Sequence, residues 1–143
     1  MKIIIASDHA GRRLKGAVGA YLTGRGLEFR DLGVDDSVDK ADYPDLARPL
    51  AEEVAAGRYD LGILVCGTGT GMAIAANKTR GVRAANCTCE FMARMARAHN
   101  NANILTLGER VLGEGLALDI VEAFISSSFE GGRHQVRLDK IGG

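Results

Sequence analysis

Two patterns of apolar residues alternate along the chain. Short, almost wholly apolar runs are followed by longer stretches whose apolar positions recur every three or four residues. Residues 2–6 form the first run and predict a strand. Residues 10–23 place Leu14, Val18, Tyr21 and Leu22 at helical spacing, with Gly24 and Gly26 near the end. Residues 27–32 predict a second, weaker strand, and 33–43 an acidic loop. Residues 44–56 put Leu46, Leu50 and Val54 on one helical face. Pro49 puts the first turns in question, because an interior proline removes a hydrogen bond. Residues 61–65 are the clearest strand, and a helix follows from near Gly71 to Lys78. Further strands are predicted at 82–86 and 104–107, and further helices at 90–98 and 115–127. In the last helix Leu116, Ile120 and Phe124 fall in register. The remainder, 128–143, reads as a polar tail carrying Arg133, His134 and Arg137.

Strands alternating with helices imply βαβ crossovers and a parallel sheet covered on both faces. No internal repeat, low-complexity segment or linker interrupts the 143 residues. One domain spanning 1–143 is expected.

Composition narrows the function. Lys+Arg and Asp+Glu number 18 each, which argues against nucleic acid or a membrane surface as partner, since phosphate contacts need surplus positive charge. The first apolar run is too short for a signal peptide. No stretch approaches the roughly 18 apolar residues needed to span a bilayer. Three cysteines make an odd count without repeated CxxC pairs, which suits a reducing compartment. A cytoplasmic protein is expected.

Ligands of open α/β sheets bind beyond the carboxyl ends of the strands. Those ends carry Ser7-Asp8-His9, then Cys66 with the loop Gly67-Thr68-Gly69-Thr70-Gly71, then Asn86-Cys87-Thr88-Cys89, then Gly108-Glu109-Arg110. Glycines at 67, 69 and 71 let the backbone turn tightly and present N–H groups to an anion. The spacing lacks the last glycine of the dinucleotide fingerprint, and no Gly-Lys-Ser/Thr closes it as a P-loop. A tight strand–helix connection without a ligand is the plain alternative. A thiol beside several N–H donors gains thiolate character, so Cys66 is a candidate nucleophile or base, against the plain reading as a small buried hydrophobe. Cys87 and Cys89 lack the loop and read as structural or as bystanders at the pocket rim. His99 is either a helix-terminal histidine favoured by the dipole or an acid/base group. Asp8 and His9 could orient a hydroxyl or a phosphate. Arg133 and Arg137, four apart, either grip a phosphate or merely solvate the surface. No cluster with metal-ligand spacing is visible, so neither metal nor cofactor is expected.

Taken together these residues resemble the sugar-phosphate isomerase family that contains type B ribose-5-phosphate isomerases and the galactose-6-phosphate and allose-6-phosphate isomerases. The resemblance is carried by Ser7-Asp8-His9-Ala10-Gly11, Asp42-Tyr43-Pro44, the 66–71 loop, Ala75-Ala-Asn-Lys78, Gly81-Val-Arg-Ala84, His99-Asn100, Leu107-Gly108 with Arg110, and Glu130-Gly-Gly-Arg-His134. These run in order along essentially the whole chain. The resemblance implies a Rossmann-like three-layer α/β/α sandwich with a five-stranded parallel sheet. It implies a homodimer, or two such dimers paired into a tetramer, with active sites shared between subunits. His99, Asn100 and Arg110 would then come from the neighbouring chain, and the tail 128–143 would serve the site or the dimer.

It also implies metal-free aldose–ketose isomerisation through a cis-enediolate. Cys66 matches the general base, His99 the group that opens the sugar ring, and Thr68 a hydroxyl assisting proton traffic. Gly67, Gly69, Thr70 and Gly71 lie in the anion hole. Asp8, His9, Tyr43 and Asn100 match substrate contacts, and Arg110, Arg133 and Arg137 a phosphate clamp. One subgroup uses a glutamate a few residues past the cysteine. Residue 72 here is Met, so the chain resembles the cysteine subgroup. Thr70 is often aliphatic in relatives. Two other readings stay open: an isomerase of a six-carbon sugar phosphate, and a non-catalytic nucleotide-binding module.

Overall fold

A computed structural model of the chain describes residues 1–34, 37 and 39–142. Five parallel strands form one sheet: β1 (Ile3–Ser7), β2 (Phe29–Asp31), β3 (Leu61–Cys66), β4 (Ala84–Asn86) and β5 (Ile104–Gly108), in the order β2-β1-β3-β5-β4. Among the described residues the helices are α1 (Arg12–Gly24), α2 (Tyr43–Ala55), α3 (Thr70–Ala76), α4 (Glu90–Asn100), α5 (Glu114–Ile125) and α6 (Arg133–Ile141).

The central strands are buried throughout, and apolar except at Ser7 and Thr106, because helices cover both sheet faces. Alternate residues point to opposite sides. Ile3, Ile5, Ile63, Val65, Leu105 and Leu107 pack in one core with residues of α1, α4 and α5. Ile4, Ala6, Leu64 and Cys66 pack in the other with residues of α2 and α3. The result is the expected three-layer α/β/α sandwich.

The sheet order positions the site. From β1 the chain passes outward to β2, then returns across β1 to β3. The reversal opens a crevice between the carboxyl ends of β1 and β3. Ser7 pairs with Val65 at this end, and Cys66 with Gly108 on the other side of β3.

Two expectations change. The polar tail contains α6, so Arg133 and Arg137 do share a helical face. Pro49 interrupts nothing: α2 runs through it, with Pro44 in its first turn where the missing N–H costs no bond. Of the acidic loop at 33–43, residues 35, 36 and 38 lie outside the described residues.

Candidate active site

Cys66 ends β3 as a 5 % exposed side chain. The chain then turns through Gly69, at φ 80° in the left-handed region where a side chain would be strained. That turn aims the Gly69 N–H back at the sulfur, to which it donates at 3.1 Å. The Thr70 N–H donates to Thr68 Oγ1 at 3.3 Å. The first amide to bond within α3 is Ala73, to Gly69 O at 3.1 Å. The amides of Gly71 and Met72 ahead of it therefore have no partner inside the helix.

β5 locks the loop from the side. Glu109 N–H donates to Cys66 O at 2.9 Å and Arg110 N–H to Gly67 O at 3.0 Å. Gly108 passes so close that a β-carbon there would stand 2.6 Å from the Thr68 carbonyl carbon. The Arg110 side chain lies beside Gly67 of its own chain. Arg110 directly follows β5, whose end pairs with Cys66.

The other strand ends complete the group. Asp8 Oδ1 accepts the Ala10 and Gly11 N–H groups at 2.9 and 3.2 Å, so one carboxylate oxygen caps the short 3₁₀ turn His9–Gly11. The exposed His9 lies with Nδ1 3.2 Å from Ala41 O. Tyr43, at the start of α2, lies against Gly71. Asn86 lies at the end of β4, where the sequence pattern alone assigns it no role. Its Nδ2 donates to Thr68 O at 3.3 Å and to Thr70 Oγ1 at 3.4 Å. Glu109 follows directly on β5. It ties α1 down by accepting the Leu14 N–H at 2.9 Å.

His99, Asn100, Arg133 and Arg137 form a second group elsewhere. α4 ends at Asn100, just before β5 begins, so these residues lie at the opposite edge of the sheet. The length of β5 alone separates the edges by roughly 15 Å. Glu130 N–H donates to Ala98 O at 3.0 Å, docking the lead-in of α6 on the end of α4. The His99 and His134 rings stack with centroids 4.1 Å apart and planes 10° apart. Glu130 Oε2 lies 3.4 Å from His134 Nε2 and 3.9 Å from His99 Nε2. Burial pushes the His134 imidazole below its usual range. The charges of His99, Arg133 and Arg137 push the same way, and Glu130 opposes them.

This trio amends the expectation that no metal-type cluster exists, since its three donor atoms lie within 4.8 Å of one another. Stacking sets the two imidazole lone pairs side by side, whereas a shared tetrahedral ion needs them to converge.

Cys87 is buried, and burial pushes its thiol up to about 11. A hollow of about 550 Å³ lies at the amino-terminal edge of the sheet, lined by Lys2, Glu28, Arg30 and Arg58 among others. It includes none of the expected site residues. Among the described residues no helix is long and apolar enough to cross a membrane.

A thiol, backbone amides and flanking polar groups at the carboxyl edge of a parallel sheet define an α/β enzyme of the Rossmann-like class. Comparison with known proteins sharpens this. Residues 3–141 match the family model described as Ribose/Galactose Isomerase. The ribose-5-phosphate isomerase B of Escherichia coli (strain K12) is 46% identical over 140 residues, covering 98% of this chain and 93% of the relative. The solved ribose-5-phosphate isomerase B of Clostridium thermocellum has 53% identity and a TM-score of 0.96, covering 99% of this chain and 95% of that one. That of Mycoplasma genitalium, with bound ribulose-5-phosphate, has 45% identity and a TM-score of 0.93, covering 98% and 93%. The chain belongs to the ribose/galactose isomerase family. At that level it is a sugar-phosphate isomerase, which removes the nucleotide-binding module as a reading.

Proposed function

We propose that the chain interconverts ribose 5-phosphate and ribulose 5-phosphate through a cis-enediolate, with Cys66 as general base. The observation that carries this reading is the Cys66 sulfur at the end of β3, facing the Gly69 N–H at 3.1 Å within an amide-rich turn. The Mycoplasma genitalium relative, solved with ribulose-5-phosphate, supports the choice of pentose.

His99 opens the sugar ring. Cys66 as thiolate takes the proton from C2 of the open-chain aldose, and the C–H electron pair moves into the new C1–C2 double bond as O1 takes the carbonyl electrons. The loop amides hold the resulting oxyanion, and the Thr68 hydroxyl moves a proton from O2 to O1. The Cys66 thiol then returns its proton to C1, which gives the ketose. A positioned base contributes on the order of 10²–10⁴ in rate, and one oxyanion donor about 3–4 kcal/mol of transition-state stabilisation. Both come from the one turn at 66–71. In this scheme amide donors polarise the carbonyl, so no metal is called on.

The site is shared. Asp8, His9, Tyr43, Cys66, residues 67–71 and Arg110 come from one subunit. His99, Asn100, Arg133 and Arg137 come from the carboxyl side of its dimer partner, so that 128–143 serves the site. The two groups lie at opposite edges of one sheet, too far apart to act together within one chain. A remote phosphate held by arginines supplies binding energy that positions the sugar.

The family description spans ribose and galactose isomerases, so a six-carbon sugar phosphate is the second reading. Purified protein is to be assayed with ribose, allose and galactose phosphates in the presence of a chelator. Turnover of ribose 5-phosphate with the highest kcat/KM is expected. A clear preference for a hexose phosphate replaces the pentose reading, and loss of turnover on chelation overturns the metal-free scheme. Cys66→Ala is expected to abolish isomerisation while sugar-phosphate binding by calorimetry persists.

A further inference from the structure

Asn86 is the last residue of β4, and its side chain reaches the underside of the loop that follows Cys66. Nδ2 donates to Thr68 O at 3.3 Å and to Thr70 Oγ1 at 3.4 Å. Oδ1 is buried and has no hydrogen-bond partner. It faces Gly69 so closely that a β-carbon on Gly69 would stand 2.4 Å from it. The amide therefore touches three successive residues of the loop.

The Thr68 carbonyl and the Gly69 N–H are the two ends of one peptide group. Asn86 holds the carbonyl end, and the amide end donates to Cys66 Sγ at 3.1 Å. A continuous chain runs from Nδ2–H to O=C, through the peptide, to N–H and sulfur. Each bond in such a chain polarises the next. It also fixes a peptide plane beside a glycine at φ 80°, where the backbone has little steric reason to hold one orientation. A buried carbonyl oxygen without a partner is unfavourable, and an apolar residue of similar size would avoid it. The amide is thus poorly explained as packing and well explained by what its nitrogen holds.

We infer that Asn86 is a positioning residue: it sets the peptide between Thr68 and Gly69 so that the Gly69 N–H stays aimed at the Cys66 sulfur. The role in turnover rests on Cys66 acting as the base, but the structural link to the sulfur does not. Asn86 touches no reacting atom, and acts through that one peptide.

The test uses the full-length protein with Asn86→Asp, which keeps the shape and removes the donor, and Asn86→Ala, which removes the whole amide. Whichever variant retains the wild-type circular-dichroism spectrum carries the test. Alkylation of Cys66 by iodoacetamide, resolved from Cys87 and Cys89 by peptide mass spectrometry, is followed from about pH 6 to 9 without sugar, where thiolate fraction governs the rate. Alkylation near neutral pH is expected to slow by about tenfold relative to wild type, the equivalent of one hydrogen bond, and to recover at the alkaline end. With ribose 5-phosphate, kcat is expected to fall by a similar factor while KM stays within about twofold, since substrate contacts are untouched. A folded variant with the wild-type alkylation profile overturns the inference. If the sugar assay shows no activity even in wild type, the isomerase reading fails while the alkylation arm still decides the role of Asn86.

Discussion

Close approach sets the chemistry of single residues here. The turn after Cys66 is held between β4 and β5, and Gly108 is the tightest point of that grip, 2.6–2.8 Å from the Thr68 backbone by the measure of an added β-carbon. Gly108→Ala must push Thr68 and Gly69 off the sulfur. Forced overpacking costs about 1–3 kcal/mol of stability, and a displacement approaching 1 Å in a catalytic group costs on the order of 10² in rate. Gly108→Ala is therefore expected to retain its fold with a lower melting temperature and to lose one to two orders of magnitude in kcat. Gly113→Ala, where nothing lies within 4 Å of an added β-carbon, is expected to leave kcat unchanged. Equal activity of the two variants would show that the loop tolerates displacement. Much of this residue-level picture was legible in the sequence, because 66–71 is contiguous and follows an unmistakable strand. The grip by Asn86 and Gly108 was not, because it joins residues 18 and 40 positions from Thr68 and only strand order brings them together.

At the level of elements, five strands and five of the helices follow the apolar pattern, since each buries a face against the sheet. α6 escapes that pattern for a physical reason: His134 is its one buried residue. Val136 and Ile141 are exposed and give no apolar stripe. A helix anchored by a buried imidazole has a pH-dependent hold. His134 has a lowered pKa in the fold, chiefly through burial, against an ordinary value of 6.5. The unfolded chain therefore binds a proton at this site more readily than the folded one. The stabilisation is present above about pH 6.5, is lost progressively as pH falls through the folded value, and changes no further below it. Urea unfolding at stepped pH is expected to show midpoints that decline below neutrality, with a shallower decline in His134→Gln. An identical pH slope in the two proteins would remove His134 as the cause. The stacked His99 is expected to report the same event, with its ring resonances shifting in NMR titration as His134 is protonated.

For the whole molecule, the separation of the two groups of candidate site residues on opposite sheet edges matters most. One edge holds the thiol and the amide turn; the other holds His99, Asn100 and the two arginines of α6. Phe91, 63% exposed on α4, and the exposed Val111, Val136 and Ile141 are apolar surface of the kind a second copy covers. In the sequence His99-Asn100 precedes the predicted strand 104–107, which puts it at the amino end of that strand. The sequence could not show that Arg110 lies beside Gly67 of its own chain, because that depends on the pairing of Cys66 with Gly108.

A two-fold dimer makes the sharing testable by complementation. Cys66→Ala and His99→Ala are each expected to be inactive on ribose 5-phosphate. After the two proteins are mixed, unfolded and refolded together, half of the dimers are mixed, and each mixed dimer carries one intact site and one doubly altered site. Recovery of about a quarter of wild-type activity is the expected result. A mixture as inactive as its components, or full activity in either variant alone, would contradict a shared site in which Cys66 is the base and the partner's His99 opens the ring.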